Sequence, residues 1–513
     1  MSDLGRRIEG LDDLLALRDR AVHVVGAGSV EGAHLLLFFL DHGFINLVGH
    51  DFSEAQEFDR SFKRVHVGWT KDEREAMLRR LREGVELRFR ERYLEGIEAA
   101  DAIAVTQGWY LYPSNQRLAD SPDLHERFFS LMQLYLALAP GTVVGVTGSQ
   151  GKSTTTALLQ EMLAAGGREV IFAGNDRHSR QALGDVLAAG PDSILLLEIS
   201  NRHLKTLGRS PNVAVVTNVY PNHLEEHGGW AGYVATKSAM VQHQRAGDVA
   251  VLNADLEVTR RMAEMTAADA LWFGEHLDSG QRGVALRDQH LVSQGLEALD
   301  VDAGALPLAG RHNAINAAAA ATAALALKVG PEAVTETLAK FRGLKHRMQF
   351  IWDAGGVKFY DDLNSTTPTA TEAALRTLGS GVIWILGGDD KTLDCDGLAE
   401  AATSAVRVAL ALPGPGSDRL VAALIRHGVQ VESIEDLPTA VVRALKVAQP
   451  GDSVLLSPAC PGFFTRYYVG ADEDTGFRQL VRQATVGDAV AGDAGSGDQP
   501  EEATSPPARK PQE

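Results

Sequence analysis

The run Val143-Val-Gly-Val-Thr-Gly-Ser-Gln-Gly-Lys-Ser-Thr-Thr-Thr156 constrains this chain more than any other stretch. An apolar strand candidate leads into a glycine loop, and the loop leads into a stretch that can only continue as a helix. Small residues let the backbone N–H groups of Gly148 to Lys152 curl around phosphate oxygens, and the helix turns its positive dipole end toward them. On this reading Gly148, Ser149, Gly151, Lys152, Ser153 and Thr154 form a phosphate site. Lys152 contacts the β/γ-phosphates and Ser153 offers a hydroxyl to Mg²⁺. Val146 stands where the usual GxxxxGK[ST] pattern has its first glycine, so the form here is TGxxGKST.

Such a loop belongs to a parallel α/β domain, and the rest of the chain has that rhythm. Short β-branched runs ending in Gly, Asn or Asp alternate with Ala/Leu-rich amphipathic stretches. Strand candidates are Val22 to Val25, Asn46 to Val48, Ala102 to Val105, Val143 to Val146, Ile194 to Leu197, Val213 to Thr217, Val249 to Leu252, Val357 to Tyr360, Val382 to Leu386, Arg407 to Leu412 and Ser453 to Leu456. Several are apolar without alternation, which suits strands covered on both faces. Ala314 to Val329 reads as a buried or half-buried helix. Thr70 to Ala99, with charges at three- and four-residue spacing, reads as one or two surface helices. Its charge suggests a solvated face rather than a basic docking face.

With 513 residues the chain has room for three or four domains. The expected division is an N-terminal Rossmann-like domain over 1–140, a central P-loop domain over 141–343, a C-terminal Rossmann-like domain over 344–486, and a tail over 487–513. The tail is rich in Gly, Asp, Glu, Pro and Ser, too polar to offset its ordering entropy, so it is expected to be disordered. The formal charge of −18 argues against a chain that coats nucleic acid or an anionic membrane, so any anionic ligand needs local devices. Two cysteines, Cys395 and Cys460, make neither a disulfide framework nor a thiolate metal site. The N-terminus lacks the pattern of a secretory signal, and no segment approaches 18 uninterrupted apolar residues. A soluble, monomeric protein of the cytoplasm, without nucleic-acid or membrane partners, is the expectation.

Other candidates gain weight together. Glu198 ends the apolar strand Ser193-Ile-Leu-Leu-Leu-Glu, where a P-loop domain places a carboxylate for Mg²⁺. Thr217-Asn-Val-Tyr-Pro-Asn-His223 follows another strand, with Lys237 fourteen residues on; alone, His223 reads as a loop histidine and Lys237 as a surface lysine. Asn313 and Asn316 share one helix face and suit either a nucleotide grip or a helix cap. Near the start, Gly26-Ala-Gly-Ser-Val-Glu-Gly32 with Asp51 after the next strand is a weak dinucleotide-type signal.

The ordered series TGSQGKSTTT, LEIS, TNVYPNH with its downstream Lys, GRHNAINAAAA, KHRMQF, FYDDLNSTTPTATEAAL, ILGGDDK and LLSPAC resembles the ATP-dependent Mur ligases, over roughly Val143 to Gln483. Its nearest likeness is the type joining glutamate to UDP-N-acetylmuramoyl-L-alanine. The resemblance implies an acid–amino-acid ligase of peptidoglycan synthesis that uses ATP and two Mg²⁺. It implies Ser153, Glu198, His223 and Lys237 as metal ligands or near-ligands, with Lys237 carbamylated. Lys152, His223, Lys237 and Arg347 are the implied catalytic residues. Asn313 and Asn316 would contact adenine and phosphate, Arg347 the phosphates, and Asp362 the ribose side. Gly28, Asp51, Thr106 and Gly108 would hold the UDP of the substrate and Asn175 its muramoyl part. Thr366 and Lys391 would hold the incoming amino acid.

The chain departs from that family in several places. The expected Ser-Pro-Gly after a first-domain strand is Thr106-Gln107-Gly108, followed by Trp-Tyr-Leu-Tyr; Asn364 replaces a lysine; and Gly462 replaces a substrate-contacting serine. The resemblance implies D-glutamate as the amino acid, and the changed pocket wall leaves L-glutamate or another acidic amino acid as the alternative. A folate- or cyanophycin-type ligase, and a nucleotide-binding protein that has lost catalysis, are the further rivals.

Overall fold

In the computed structural model every strand candidate falls on a strand, and three sheets carry them. The structure describes residues 4–489 except 67, 176–182, 206, 223, 308–309, 391–393 and 468–475. His223, Lys391 and nearly all of the expected tail thus lie outside the described residues. The chain forms two compact units, Met1–Arg342 and Gly343–Glu513.

The first unit holds two sheets. One is built from β1 (Val22–Val25), β2 (Leu47–Asp51), β3 (Glu86–Phe89), β4 (Ala102–Val105) and β5 (Phe128–Phe129), all parallel, in the order β3-β2-β1-β4-β5. The other has nine strands: β6 (Thr142–Thr147), β7 (Val170–Gly174), β8 (Ile194–Glu198), β9 (Val213–Val216), β10 (Val249–Asn253), β11 (Asp269–Gly274), β12 (Gly283–Arg287), β13 (His290–Gln294) and β14 (Asp300–Asp302). Their order is β14-β13-β12-β11-β10-β9-β6-β8-β7. Pairing is parallel from β7 to β12, and β13 and β14 continue it as an antiparallel extension.

In both sheets the chain reverses its winding beside the strand that feeds a glycine loop: β1 lies between β2 and β4, and β6 between β8 and β9. Helices then leave on opposite faces and open a crevice at the carboxyl ends of the strands, where open α/β sheets bind ligands.

The segment expected as one or two helices is a helix only over Lys71–Gly84. Thr70 caps it by accepting the N–H of Glu73, and Met77, Leu78 and Leu81 are buried. Glu86–Phe89 forms β3, because Leu87 and Phe89 alternate with Glu86 and Arg88 and the run pairs with β2, and short 3-10 turns follow at Arg90–Arg92 and Ile97–Ala99.

The Ala-dense stretch is the helix Arg311–Ala326, with Ala317 to Ala321 fully buried. It packs against the helix Lys152–Ala165 and across β10 to β12. Methyl side chains let it come close to its neighbours and press its first turns against the glycine loop.

The second unit contains β15 (Gln349–Ala354), β16 (Val357–Asp361), β17 (Val382–Gly387), β18 (Val406–Ala411), β19 (Val431–Ser433) and β20 (Ser453–Ala459), in the order β15-β16-β20-β17-β18-β19. Only the β15–β16 pair is antiparallel. Trp384 is wholly buried at the middle of this sheet, and its indole N–H donates to Ser457 O at 2.7 Å. A final helix runs Gly476–Ala489.

Overpacking tests the closeness of the Ala-rich helix. Ala319→Leu adds three carbons where nothing is exposed and should destabilise the first unit by about 1–3 kcal/mol. The shift of the urea unfolding midpoint measures it.

Candidate active site

Strand β6 ends at Thr147 and the chain turns through Gly148 (φ 154°) and Gly151 (φ 78°) into the helix Lys152–Ala165. Neither glycine has room for a side chain. A Cβ on Gly148 would lie 1.9 Å from Thr217 Oγ1, and one on Gly151 would lie 2.2 Å from Asn316 Oδ1. The loop is therefore clasped between the end of β9 and the Ala-rich helix.

Residues after β9 fix the loop's outer side. Thr217 Oγ1 donates to Gln150 O at 2.6 Å, and Asn218 Oδ1 accepts Gln150 N at 2.9 Å. Ser149 Oγ donates to Tyr220 O and accepts Tyr220 N, both at 2.9 Å, and also meets Tyr233 OH at 2.9 Å. Lys152 Nζ folds back to Gly148 O at 3.0 Å. Ser153 and Thr154 stand half-buried in the first helical turn, and Asn313 is half-buried one turn before the buried Asn316.

Lys237 sits on the helix Trp230–Ser238 and is almost wholly buried, at 1 % exposure. Its Nζ donates to Thr147 Oγ1 and to Gly148 O, both at 3.0 Å. Burial, reinforced by the charge of Lys152, holds its pKa well below that of an ordinary lysine, and Glu198 opposes the shift. Glu198 is buried at the end of β8 and accepts Asn175 Nδ2 at 3.0 Å, while Asn175 N donates to Glu198 O at 2.8 Å. Among the described residues no group of three His, Cys, Asp or Glu side chains forms a ready metal cage.

A cleft of about 640 Å³ opens at the carboxyl ends of β1, β2 and β4 and extends to Gly174 and Asn175 of the second sheet. Gly28, Asp51, Thr106 and Asn175 all line it. Asp51 Oδ2 accepts Gly28 N at 3.1 Å and Oδ1 accepts Ser53 Oγ at 2.6 Å, tying β2 to the glycine turn. Thr106 Oγ1 donates to Val25 O at 3.1 Å. Gly108 is not part of this lining; it lies with φ 70° beside the side chain of Arg202.

The unusual Thr106-Gln107-Gly108 loop has a structural role that sequence reasoning missed. Gln107 N donates to Glu31 Oε2 at 2.8 Å, and its side-chain oxygen accepts Ser200 Oγ at 3.1 Å. Glu31 Oε1 lies 2.6 Å from His203 Nε2, and His203 Nδ1 lies 3.3 Å from Ser200 N. The neutral tautomer with its proton on Nε2 satisfies both contacts. Glu31, Gln107, Ser200 and His203 thus bind the helix after β1 to the residues just beyond Glu198.

In the second unit, Asp362 follows β16 and is 3 % exposed. It accepts Met348 N at 3.1 Å and Ser457 Oγ at 2.8 Å, and burial raises its pKa to about 6. Thr366 is half-buried on the same loop, and Arg347 is exposed. Gly462 (φ 72°) packs on Asp389, which pairs with Arg466; a Cβ at Gly462 would lie 2.2 Å from Asp389 Oδ2. A serine at this position would have to displace the Asp389 carboxylate.

Residues 146–324 match the Mur ligase middle domain, and residues 346–460 match the Mur ligase glutamate ligase domain. The UDP-N-acetylmuramoylalanine--D-glutamate ligase of Symbiobacterium thermophilum is 35% identical over 399 residues, covering 76% of this chain and 86% of that protein. The enzyme of the same name from Solibacter usitatus is 35% identical over 71% of this chain and 83% of its own length. Among solved structures, UDP-N-acetylmuramate-alanine ligase from Thermotoga maritima has the same fold, with a TM-score of 0.55 and 18% identity, over 91% of this chain and 100% of that one. The protein is an ATP-dependent ligase of acids with amino acids. It belongs to the Mur ligase family.

The buried Glu31 network has a measurable weight. Glu31→Ala removes the acceptor of both Gln107 N–H and the His203 ring, and should cost about 2–4 kcal/mol of stability. Chemical denaturation of the full chain at neutral pH reads it.

Proposed function

We propose that the protein joins D-glutamate to the alanyl carboxylate of UDP-N-acetylmuramoyl-L-alanine, with cleavage of ATP to ADP and phosphate. One observation carries this reading. A single cleft runs from a nucleotide-type turn at Gly28 and Asp51 to Asn175, and Asn175 bonds Glu198 beside the glycine loop and Lys237. A UDP-sugar held at its nucleotide end by Gly28, Asp51 and Thr106 would extend its acyl end toward Asn175. The loop Gly148–Thr154, with Asn313 and Asn316, would hold ATP there. Gly108 and Gly462 act only through backbone shape, and the family likeness assigns Thr366 to the amino acid and Arg347 and Asp362 to the nucleotide.

A carboxylate is a poor acylating agent at neutral pH. In the proposed reaction its oxygen attacks the γ-phosphorus, the bond to the β-phosphate oxygen breaks, and ADP leaves. The glutamate amine then attacks the acyl phosphate, loses a proton, and expels inorganic phosphate. Lys152 and the loop N–H groups neutralise charge on the transferring oxygens, and no side-chain nucleophile is needed.

The donor set suits Mg²⁺, which takes oxygen ligands: Ser153 and Glu198 supply two. Bound there, the ion would stabilise negative charge on the phosphoryl oxygens. Lys237 as an amine is no such ligand. Yet burial lowers its pKa and so favours the neutral amine, which can add CO₂ with loss of a proton to give a carbamate with oxygen donors.

Purified protein with Mg²⁺, ATP and UDP-N-acetylmuramoyl-L-alanine should release ADP when D-glutamate is added, and far more slowly with L-glutamate, D-aspartate or no amino acid. Preference for L-glutamate would move the specificity, and turnover with no acidic amino acid would overturn the reading.

Lys237→Ala should lower kcat at least a hundredfold. Bicarbonate should not restore it, whereas formate or acetate should do so in part; a fully active variant would remove Lys237 from the chemistry.

A further inference from the structure

The substrate cleft has an aromatic mouth. Phe52 directly follows Asp51 at the end of β2, and Tyr112 follows the short turn Trp109–Leu111 beyond β4. Both line the cleft, and they are 50% and 47% exposed. Their ring centroids lie 5.2 Å apart with planes tilted by 33°. The pair is held from behind. Half-buried Tyr93 meets Phe52 edge-on at 6.3 Å, and Tyr93 OH donates to buried Asn115, which in turn donates Nδ2 to Trp109 O at 2.7 Å. Both rings thus stand half exposed at the cleft, and Phe52 is backed by Tyr93.

We propose that Phe52 and Tyr112 form the platform on which the pyrimidine base of the UDP-sugar stacks. This rests on the reading of the cleft as the UDP site. A nucleotide presents diphosphate, ribose and base in fixed sequence, and the cleft offers matching groups in the same sequence: the glycine turn Gly26–Ser29, then Asp51, then the rings. The group that meets the base must adjoin the group that meets the ribose, and Phe52 is the chain neighbour of Asp51. Aromatic rings are the surface on which bases stack, and the contact registers the presence of a base more than its identity. The platform also assigns a use to the Trp-Tyr-Leu-Tyr run, which the family likeness leaves unexplained. Phe52 and Tyr112 are then specificity-determining residues, remote from the reacting carboxylate.

The test uses the full-length protein with UDP as the probe, by isothermal titration calorimetry, and steady-state kinetics with the UDP-sugar. Phe52→Ala and Tyr112→Ala should each weaken UDP binding, and raise KM for the UDP-sugar, roughly tenfold. KM for ATP and kcat should stay unchanged, and thermal midpoints should stay within about 2 °C because both side chains are exposed. Phe52→Tyr and Tyr112→Phe keep a ring and should keep the affinity. In Phe52→Trp the added indole emission should fall as UDP is titrated. If the wild type binds UDP and both alanine variants bind it equally well, the platform is overturned and the UDP reading of the cleft stands. If the wild type binds no UDP at millimolar concentration, both fall.

Discussion

The chemistry of the first unit depends on β6 lying between β8 and β9. That position sends the connections to either side of the strand away from each other, and the backbone at Gly148–Gly151 emerges into the gap. From β8 comes Glu198, from β9 come Thr217 and Asn218, and from behind comes the Ala-rich helix with Asn316. Each contact on the loop is short because the strands are buried on both faces and cannot shift separately. The same geometry holds Lys237 Nζ against Thr147 and Gly148, so a charged-type side chain is kept dry by the very turn that would receive phosphates.

Anion binding by a chain of net charge −18 is thereby a matter of local fields. Oriented N–H groups at the start of the helix Lys152–Ala165 and the ammonium of Lys152 act within a few ångströms, where bulk charge counts for little. Many acidic residues elsewhere are exposed, some of them paired, as in Glu86 with Arg88 and Arg92, and are screened by solvent.

Much of the site could be read in the sequence because its parts are contiguous. Gly148 to Thr154, Glu198 at a strand end, and Asp362 after β16 each sit at a junction that an apolar run announces. The Glu31–His203 pair could not be read, since 172 residues separate its members and neither has a distinctive neighbourhood. Gln107 looked like a divergence and is a bridge, because only folding brings Ser200 beside it. The strand β3 was hidden in a highly charged stretch, where helical spacing of Arg and Glu overrode a four-residue alternation. Gly108 is assigned by its order in the chain, and in the fold it lies beside the side chain of Arg202. His223 and Lys391 lie outside the described residues.

The outermost strands carry a further consequence. At one end of the nine-stranded sheet, β14 reads Asp-Val-Asp; an outer strand of the first sheet, β3, reads Glu-Leu-Arg-Phe; and β19 in the second unit reads Val-Glu-Ser. Unpaired strand edges invite a second molecule to add its own strand, and charges set along a short edge repel that addition. These three edges are thereby guarded against such an addition. The side chains that secure this are some of the acids that give the chain its negative charge.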